Sequence, residues 1–402
     1  MALACSRLRR VPWCASALAI VLIANLSVVT IWMLRPSWQL LDGEDTRYRV
    51  PPSDPEDDDD IVGMYPVDKV AAVAPGSSRC TAGVVLESAF AEVPARPRPG
   101  RRRHSRCRMS DWTDGEWALA SSVDDVFGRT GLYMQYENRF KPDYSDRQRQ
   151  PWLWEWRSTC GATMDKFDPV RLCSTLGNRS ILFVGDSLSA NMIAAFRNQL
   201  NTRRAVRPCA NDNWSDEYES TVVICPSMAR LDYIRNDHLT LSRDSQGQFC
   251  NAWTPVLDQY DILVLNTGAH VVDIDEYERQ TGEVVEYLRQ HYHGTVVYRL
   301  TSAGHANCTT YSEPWTRAQA DRHAAEHPEL PYKWHYFATY NDIARRHYAS
   351  LPRAYVLDTD SLVRLRPDTH RSADDCLHQV IPAALDYAVL MLYYVIVGDL
   401  EQ

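Results

Sequence analysis

The stretch "ILFVGDSLSANMIAAF", residues 181–196, places a small acid and a hydroxyl between an apolar run and a segment with helical spacing. Ser187 would then lie in the first turn of the helix, beside backbone N–H groups without a partner in the helix and beside the positive end of its dipole. Such donors stabilise an oxyanion, so the pattern is typical of a serine nucleophile. The alternative is that Asp186 or Ser187 only caps the helix.

A serine nucleophile needs a base that a third group orients. The segment "DDCLHQVIP" offers both, because Asp375 precedes His378 by three residues and a helical segment follows. On a loop or a first helical turn, the carboxylate can accept from one ring nitrogen while the other faces the serine. His378 is therefore the predicted base among the twelve histidines. Its alternative is a capping or surface histidine.

Short apolar runs predict the strands that position these residues, at 181–185, 221–225, 261–266, 295–300 and 354–358. Helical patterns lie at 188–200, 275–291, 335–349 and 383–397. Apolar strands that alternate with helices predict an α/β fold with a parallel sheet covered by helices on both faces. The site is then expected outside the carboxyl ends of the strands, where Ser187 falls. The last helix is apolar for only 11 residues, which favours a buried core helix over a membrane span.

Residues 13–34, "WCASALAIVLIANLSVVTIWML", carry no charge and as a helix are long enough to cross a bilayer core of about 30 Å. They predict a transmembrane signal-anchor, whereas a cleaved signal peptide would have a shorter apolar core that ends in small residues. Three arginines precede the segment, and one arginine and acidic sequence follow it. The positive-inside rule therefore predicts a cytosolic tail over residues 1–12 and a lumenal position for the rest of the chain.

Residues 35–106 predict a disordered lumenal stem, because "PPSDPEDDDD" and "ARPRPGRRRHSR" are rich in proline and charge. The basic run that ends at Arg106 has two alternative interpretations: a furin-type cleavage site, or a patch for acidic glycans or lipid. The formal net charge of -9 argues against a nucleic-acid partner.

Nine of the eleven cysteines follow residue 35, on the predicted lumenal side, where disulfides persist. No CxxC pair occurs in the sequence, so a zinc site is not expected. Sequons at Asn178, Asn213 and Asn307 suit a glycosylated lumenal domain.

Five sequence blocks occur in order across residues 107–395: "CRMSDWTDGEW", "WLWEWRSTC", "ILFVGDSLSAN", "DILVLNTGAH" and "DDCLHQVIP". By these blocks the chain resembles the trichome birefringence-like group of the PC-esterase superfamily, relatives of the SGNH (GDSL) hydrolases. Plant members of that group are Golgi polysaccharide O-acetyltransferases. The resemblance implies an N-terminal subdomain over 107–172, an SGNH-hydrolase-like catalytic domain over 173–402, and a single-pass type II Golgi membrane protein with a lumenal catalytic domain.

The resemblance also implies roles for single residues, with Ser187 as nucleophile, His378 as base and Asp375 as the carboxylate that orients it. Gly185 and Asp186 belong to the serine block and are further candidates for the oxyanion side or the substrate.

Two later blocks add candidates. Asn266 and Gly268 match the block expected to line the oxyanion side. Arg299 resembles the end of a family strand and is either a substrate contact or a surface ion pair. Ala190 stands where the family usually has arginine, and His270 is displaced by one position. Gln379 and the valine after it replace a Trp-Cys pair, so the family's disulfide pattern does not transfer.

Together these expectations describe a ping-pong transfer in which an acetyl donor acylates the serine and a hydroxyl of a polysaccharide or glycan then accepts the acetyl group. No bound cofactor or metal is expected, and the donor acts as a co-substrate. Water as the second acceptor would make the protein an esterase with the same triad. A third interpretation is an inactive glycan-binding or scaffold protein. Trp152, Trp154 and Trp156 either stack on sugar rings or belong to the core.

Overall fold

The computed structural model describes residues 109–120, 150–159, 167–200, 206–208, 219–225, 227, 229–242, 249–327, 331–370 and 372–400. The predicted tail (1–12), anchor (13–34) and stem (35–106) lie outside these residues. Within the described ranges, no helix combines the length and apolar character needed to cross a membrane.

The strands are β1 (Gly115–Leu119), β2 (Trp154–Ser158), β3 (Ile181–Gly185), β4 (Val206–Pro208), β5 (Glu219–Ile224), β6 (Ala229–Arg235), β7 (Ile262–Asn266), β8 (Thr295–Arg299) and β9 (Ala354–Leu357). The α-helices are α1 (Met109–Trp112), α2 (Pro169–Leu176), α3 (Ser187–Gln199), α4 (Ile274–His291), α5 (Arg317–Glu326), α6 (Phe337–Tyr348), α7 (Asp360–Val363) and α8 (Ala384–Leu400).

In the described part of the chain, seven strands form one sheet in the order β4-β5-β6-β3-β7-β8-β9. The strands from β6 to β9 in this order run parallel, whereas β4 and β5 continue the sheet antiparallel at one edge. The expected α/β fold with flanking helices is confirmed, and the sheet is mostly rather than wholly parallel. Because β3 has β6 on one side and β7 on the other, the chain reverses direction across the sheet at the carboxyl end of β3, which is where ligands bind in such sheets.

The prediction for the second strand is wrong in one respect. The apolar run at 221–225 forms β5, an antiparallel strand, and the parallel neighbour of β3 is β6, which the sequence analysis missed. Arg230 and Asp232 interrupt the apolar pattern of β6. The two charges lie 3.7 Å apart within the strand, and Tyr260 is their partner from elsewhere in the fold: its hydroxyl donates to the Asp232 carboxylate and its ring lies 4.9 Å from the Arg230 guanidinium. A pattern of apolar residues contains no information about such partners.

Alternate side chains of β3 build the core on its two faces. Ile181 and Phe183 join a cluster that includes residues of α2, α3 and α8. Leu182 and Val184 join the opposite cluster, which includes residues of α4 and α6. Most of α8 is buried, with Met391 and Ile396 fully inaccessible, so the prediction of a core helix is confirmed.

The antiparallel pair β1–β2 packs on the side of α8. The Trp117 indole donates to the Leu362 carbonyl at 3.1 Å, and its ring lies 5.1 Å from that of Tyr387. Trp152 and Trp156 are buried, which supports the core interpretation of these tryptophans. The predicted boundary between residues 172 and 173 falls inside α2, so one continuous core crosses it.

Candidate active site

The turn between β3 and α3 is held by Asp186, whose side chain is fully buried. One carboxylate oxygen accepts from the Leu188 amide at 2.9 Å, and the other lies 3.4 Å from the Ala269 amide. Asp186 is therefore the N-cap of α3, and the capping interpretation applies to this residue. The hydroxyl of Ser187 is left for another partner.

That partner is His378. Its Nε2 lies 2.8 Å from Ser187 Oγ, and its Nδ1 lies 2.9 Å from both carboxylate oxygens of Asp375. The structure thus brings together the three predicted residues, although Ser187 and His378 are 191 positions apart in sequence. The order of contacts, hydroxyl to imidazole to carboxylate, is the arrangement in which a histidine takes the proton of a serine nucleophile.

Asp375 binds both the backbone of its own loop and the ring of His378. The amides of Leu377 and His378 approach one carboxylate oxygen at 3.4 and 3.1 Å, while the imidazole occupies both oxygens. Burial alone would raise the pKa of Asp375, but the hydrogen bond and charge of His378 and the two amides together hold it well below its ordinary value. The carboxylate is therefore ionised at neutral pH. Residues 372–383 contain no helix and α8 starts at Ala384, so Asp375 does not cap a helix and the capping interpretation of this motif is wrong.

Two glycines permit the close packing around Ser187. A Cβ at Gly185 would lie 2.3 Å from the Asn266 carbonyl oxygen, so only glycine fits where β3 ends against β7. Gly268 has φ +144, and a Cβ there would lie 2.9 Å from the Thr301 side chain. Gly268 is followed by Ala269, whose amide faces Asp186. The predicted oxyanion block is thus placed beside the serine turn.

Asn266 and Arg299 lie at the ends of neighbouring strands and bind each other. The Asn266 amide donates to the Arg299 carbonyl at 3.0 Å, and the guanidinium donates to the Asn266 side-chain oxygen. Burial lowers the pKa of Arg299 to about 10 and the Asp186 carboxylate opposes the decrease, so the guanidinium stays charged. Arg299 is 2% exposed, and the expectation of a surface ion pair is wrong. Both residues fix the carboxyl ends of β7 and β8.

Two residues that sequence reasoning missed hold the histidine loop, and the first of them ties it to the serine helix. Asn191, one turn after Ser187 on α3, donates to the Gln379 carbonyl at 3.0 Å and accepts from the Gln379 amide at 2.8 Å. A ring nitrogen of His370 lies 2.7 Å from the His378 carbonyl oxygen. The signal for Asn191 was its spacing of four residues from Ser187, which places both on one face of the helix.

A disulfide anchors the same loop. Cys376, between Asp375 and His378, is bonded to Cys308. The Cys376 carbonyl also accepts from the His305 amide at 2.9 Å. A second disulfide, Cys173–Cys225, joins α2 to the end of β5. The predicted use of cysteines in disulfides is thus seen in both pairs.

In the described ranges, no group of three or more histidine, cysteine, aspartate or glutamate side chains is arranged to hold a metal ion.

Of the three predicted sequons, Asn178 and Asn307 are exposed, and Asn213 lies outside the described residues. The site as built is a serine with an oriented base beside a helix N-terminus, which can carry out nucleophilic acyl transfer or hydrolysis.

No family model and no curated protein matches the chain. The resemblance to the trichome birefringence-like group stays a prediction. Among solved structures, the chain is similar to the C-terminal catalytic domain of Streptococcus pneumoniae peptidoglycan O-acetyltransferase A with a methylsulfonyl adduct. That alignment has 11% identity and a TM-score of 0.30, and covers 56% of this chain and 93% of that one. A lipase/acylhydrolase from Enterococcus faecalis aligns at 10% identity with a TM-score of 0.32, over 55% of this chain and 96% of its own.

Proposed function

We propose that this protein is an O-acetyltransferase that moves an acetyl group onto a glycan hydroxyl through an acetyl-Ser187 intermediate. The observation that carries the proposal is the continuous contact from Ser187 Oγ through the His378 ring to the Asp375 carboxylate. The choice of acetyl group and glycan is supported by the sequence blocks that resemble the polysaccharide O-acetyltransferases.

In the first half of the reaction, His378 Nε2 takes the Ser187 proton as Oγ bonds to the carbonyl carbon of the donor. The bond from that carbon to the donor's leaving group then breaks, and the leaving group takes the proton from His378. In the second half, a sugar hydroxyl gives its proton to His378 and its oxygen attacks the acetyl carbon. Ser187 leaves and recovers the proton. Atoms and charge balance, and no oxidant or cofactor is consumed.

Backbone amides supply the expected oxyanion donors. The Ser187 amide is the first of α3, and the Gly268 amide belongs to the turn that faces Asp186. Neither amide has a hydrogen-bond acceptor within the part of the chain that the structure describes. We expect both N–H groups to stabilise the charge of the tetrahedral intermediate, and each such donor is worth roughly a hundredfold to a thousandfold in rate.

The lumenal location remains part of the proposal. The disulfides Cys173–Cys225 and Cys308–Cys376 support an oxidising compartment. Exposed sequon residues at Asn178 and Asn307 fit glycosylation there. Digestion of intact vesicles with protease tests the orientation, because loss of the catalytic domain without detergent would contradict a lumenal position behind the anchor at 13–34.

The function is tested with purified protein, an acetyl donor and a panel of oligosaccharides, with acetylated sugar and free acetate measured by mass spectrometry. We expect acetylated sugar from the wild type and an acetyl group on the peptide that contains Ser187. Ser187→Ala should abolish transfer and labelling by a fluorophosphonate, while Ser189→Ala, two residues on in the same helix, should keep the label. Acetate without acetylated sugar would make the protein an esterase, and equal labelling of Ser187→Ala would move the nucleophile elsewhere.

A further inference from the structure

Two loops border Ser187, one after β6 and one after β7, because these strands are the two neighbours of β3 in the sheet. The loops are tied together, since the Thr267 hydroxyl donates to the Asp237 carbonyl at 2.7 Å. Side chains exposed on these loops lie at the mouth of the site. We use the name β6–β7 rim for the partly or fully exposed residues of these loops, the buried pair beneath them and one residue of the segment Pro331–Tyr336 that contacts His270. In that order they are Phe249, His270 and Val272, then Arg235 and Asp237, then Tyr332.

The polar part of the rim is an imidazole with a buried acidic partner. His270 Nε2 lies 3.4 Å from an Asp237 carboxylate oxygen, and the His270 side chain is 28% exposed. Arg235 donates to the other oxygen of Asp237 at 2.8 Å, so the carboxylate is held in place and its charge is offset. Within the described residues, the His270 ring has this contact with Asp237 and no hydrogen bond. Its Nδ1 can therefore bind a hydroxyl that comes from outside.

The apolar part of the rim is unusual for the surface of this protein. Five large apolar side chains of the described residues are more than a third exposed, and Phe249, Val272 and Tyr332 are three of them. The Phe249 ring packs under the Arg235 guanidinium at 4.2 Å, and the Tyr332 ring lies 5.7 Å from the His270 ring. Exposed apolar side chains gathered beside oriented polar groups mark a ligand-binding surface.

The rim and the candidate triad pack on the same buried apolar cluster. Ala269 and Val271, on either side of His270, belong to one buried apolar cluster with Leu188 and Leu377, which follow Ser187 and precede His378. The position of His270 is thus coupled through packed side chains to both halves of the site.

We infer that the β6–β7 rim is the acceptor subsite, where the His270 ring binds a sugar hydroxyl and the Tyr332 and Phe249 rings pack against the C–H faces of the sugar. The inference rests on the proposed function and names the surface that selects a sugar over water. His378 still removes the proton, so His270 is a positioning residue. Aromatic rings suit this role because they offer apolar area at little conformational cost.

The first test measures how acetyl groups partition between sugar and water. p-Nitrophenyl acetate serves as donor, with cello-, xylo- and manno-oligosaccharides as acceptors. We expect His270→Ala and Tyr332→Ala to raise the acceptor KM and to lower the ratio of acetylated sugar to free acetate at least tenfold. Tyr332→Phe keeps the ring and should restore the ratio. His347→Ala is the matched control, because His347 is 29% exposed and lies 3.6 Å from Glu278. Unchanged ratios in the rim variants would overturn the inference while leaving the proposed function intact.

A second test does not depend on turnover. Saturation-transfer NMR with the same oligosaccharides on full-length Ser187→Ala protein should show binding that Tyr332→Ala abolishes and His347→Ala keeps. If the wild type releases only acetate but the sugars bind through Tyr332, the transferase function fails and the rim remains a glycan site. Binding that Tyr332→Ala does not alter would overturn the rim whatever the reaction is.

Discussion

The two halves of the candidate site are built in different ways. The serine half is the junction of β3 and α3, where regular elements, a helix cap and a close strand contact fix Ser187. The base half is the loop before α8, where three contacts hold Asp375 and His378 in place. They are the disulfide to Cys308, the contact of His370 with the His378 carbonyl, and the hydrogen bonds between the Asn191 side chain and the Gln379 backbone, which we call the Asn191 clamp. The comparison indicates that local structure positions the nucleophile, whereas tertiary contacts position the base. Damage to the ties should therefore misplace the base and leave the serine in place.

The largest effect in the base half is expected from the triad residues themselves. Asp375→Asn should lower the rate about ten-thousandfold, because the amide can hold the imidazole in the wrong tautomer. His378→Ala should be comparably damaging, and adding Ser187→Ala to either should change little, since residues acting as a unit are not additive. Asp374→Asn, an exposed neighbour, is the matched control. Near-normal turnover of folded Asp375→Asn would remove Asp375 from the catalytic set.

A change in the Asn191 clamp tests whether the position of His378 relative to Ser187 limits the rate. Asn191→Ala leaves the Gln379 amide and carbonyl without their partner, so we expect a loss of about 1 to 3 kcal/mol per unsatisfied group in unfolding free energy. A base misplaced by about 1 Å should lower kcat up to about a hundredfold. Asn191→Asp keeps the acceptor for the Gln379 amide and should fall in between. Chemical denaturation measures the unfolding free energy, and kcat is measured on the same preparations. A normal kcat in stably folded Asn191→Ala would contradict the clamp's role in positioning the base.

Removal of Cys173–Cys225 or of Cys308–Cys376 distinguishes a loss of stability from a misplaced base. Their sequence separations of 52 and 68 residues predict similar losses of about 4 kcal/mol when each is removed, from loop entropy. Of these two bonds between described residues, Cys308–Cys376 is the one that lies next to the base. We expect Cys308→Ser/Cys376→Ser to lower the rate per folded molecule several-fold to tenfold. Cys173→Ser/Cys225→Ser should keep the wild-type rate at temperatures where both variants are folded. Equal rates in the two double variants would show that the loop is held without its disulfide.

The smallest effect concerns pH. The pKa of Asp375 is below its unfolded value of about 3.9, so the ionised carboxylate stabilises the folded state above that pH. Its contribution is lost as the pH falls from about 4 toward the folded pKa. The difference in unfolding free energy between wild type and Asp375→Asn should therefore not decline between about pH 7 and about pH 5 and should shrink below about pH 4. A difference that already declines between pH 7 and pH 5 would contradict a lowered pKa.

Prediction from sequence succeeded where the signal was local. The bounds of β3 agree with the predicted run 181–185, and α3 begins one residue before its predicted start. Asp375 and His378 are three residues apart, so a single turn of chain could bring carboxylate and ring together. Prediction failed for β6 because Tyr260, which binds both of its charged side chains, comes from elsewhere in the fold. It left Arg299 undecided between two roles, and the structure gave this residue a third, as a buried partner of Asn266.

The sequence by itself determined an α/β fold, a serine at a strand-to-helix turn and an acid–base pair near the C-terminus, because apolar periodicity, helix capping and short spacings are local properties. Only the tertiary structure decided that His378 meets Ser187 across 191 residues, that Asn191 and Cys308 hold it there, and that His270 and Tyr332 share a rim at the mouth. The physical reason is that such contacts follow from the order of strands in the sheet. That order is fixed by the packing of the whole core rather than by any one segment.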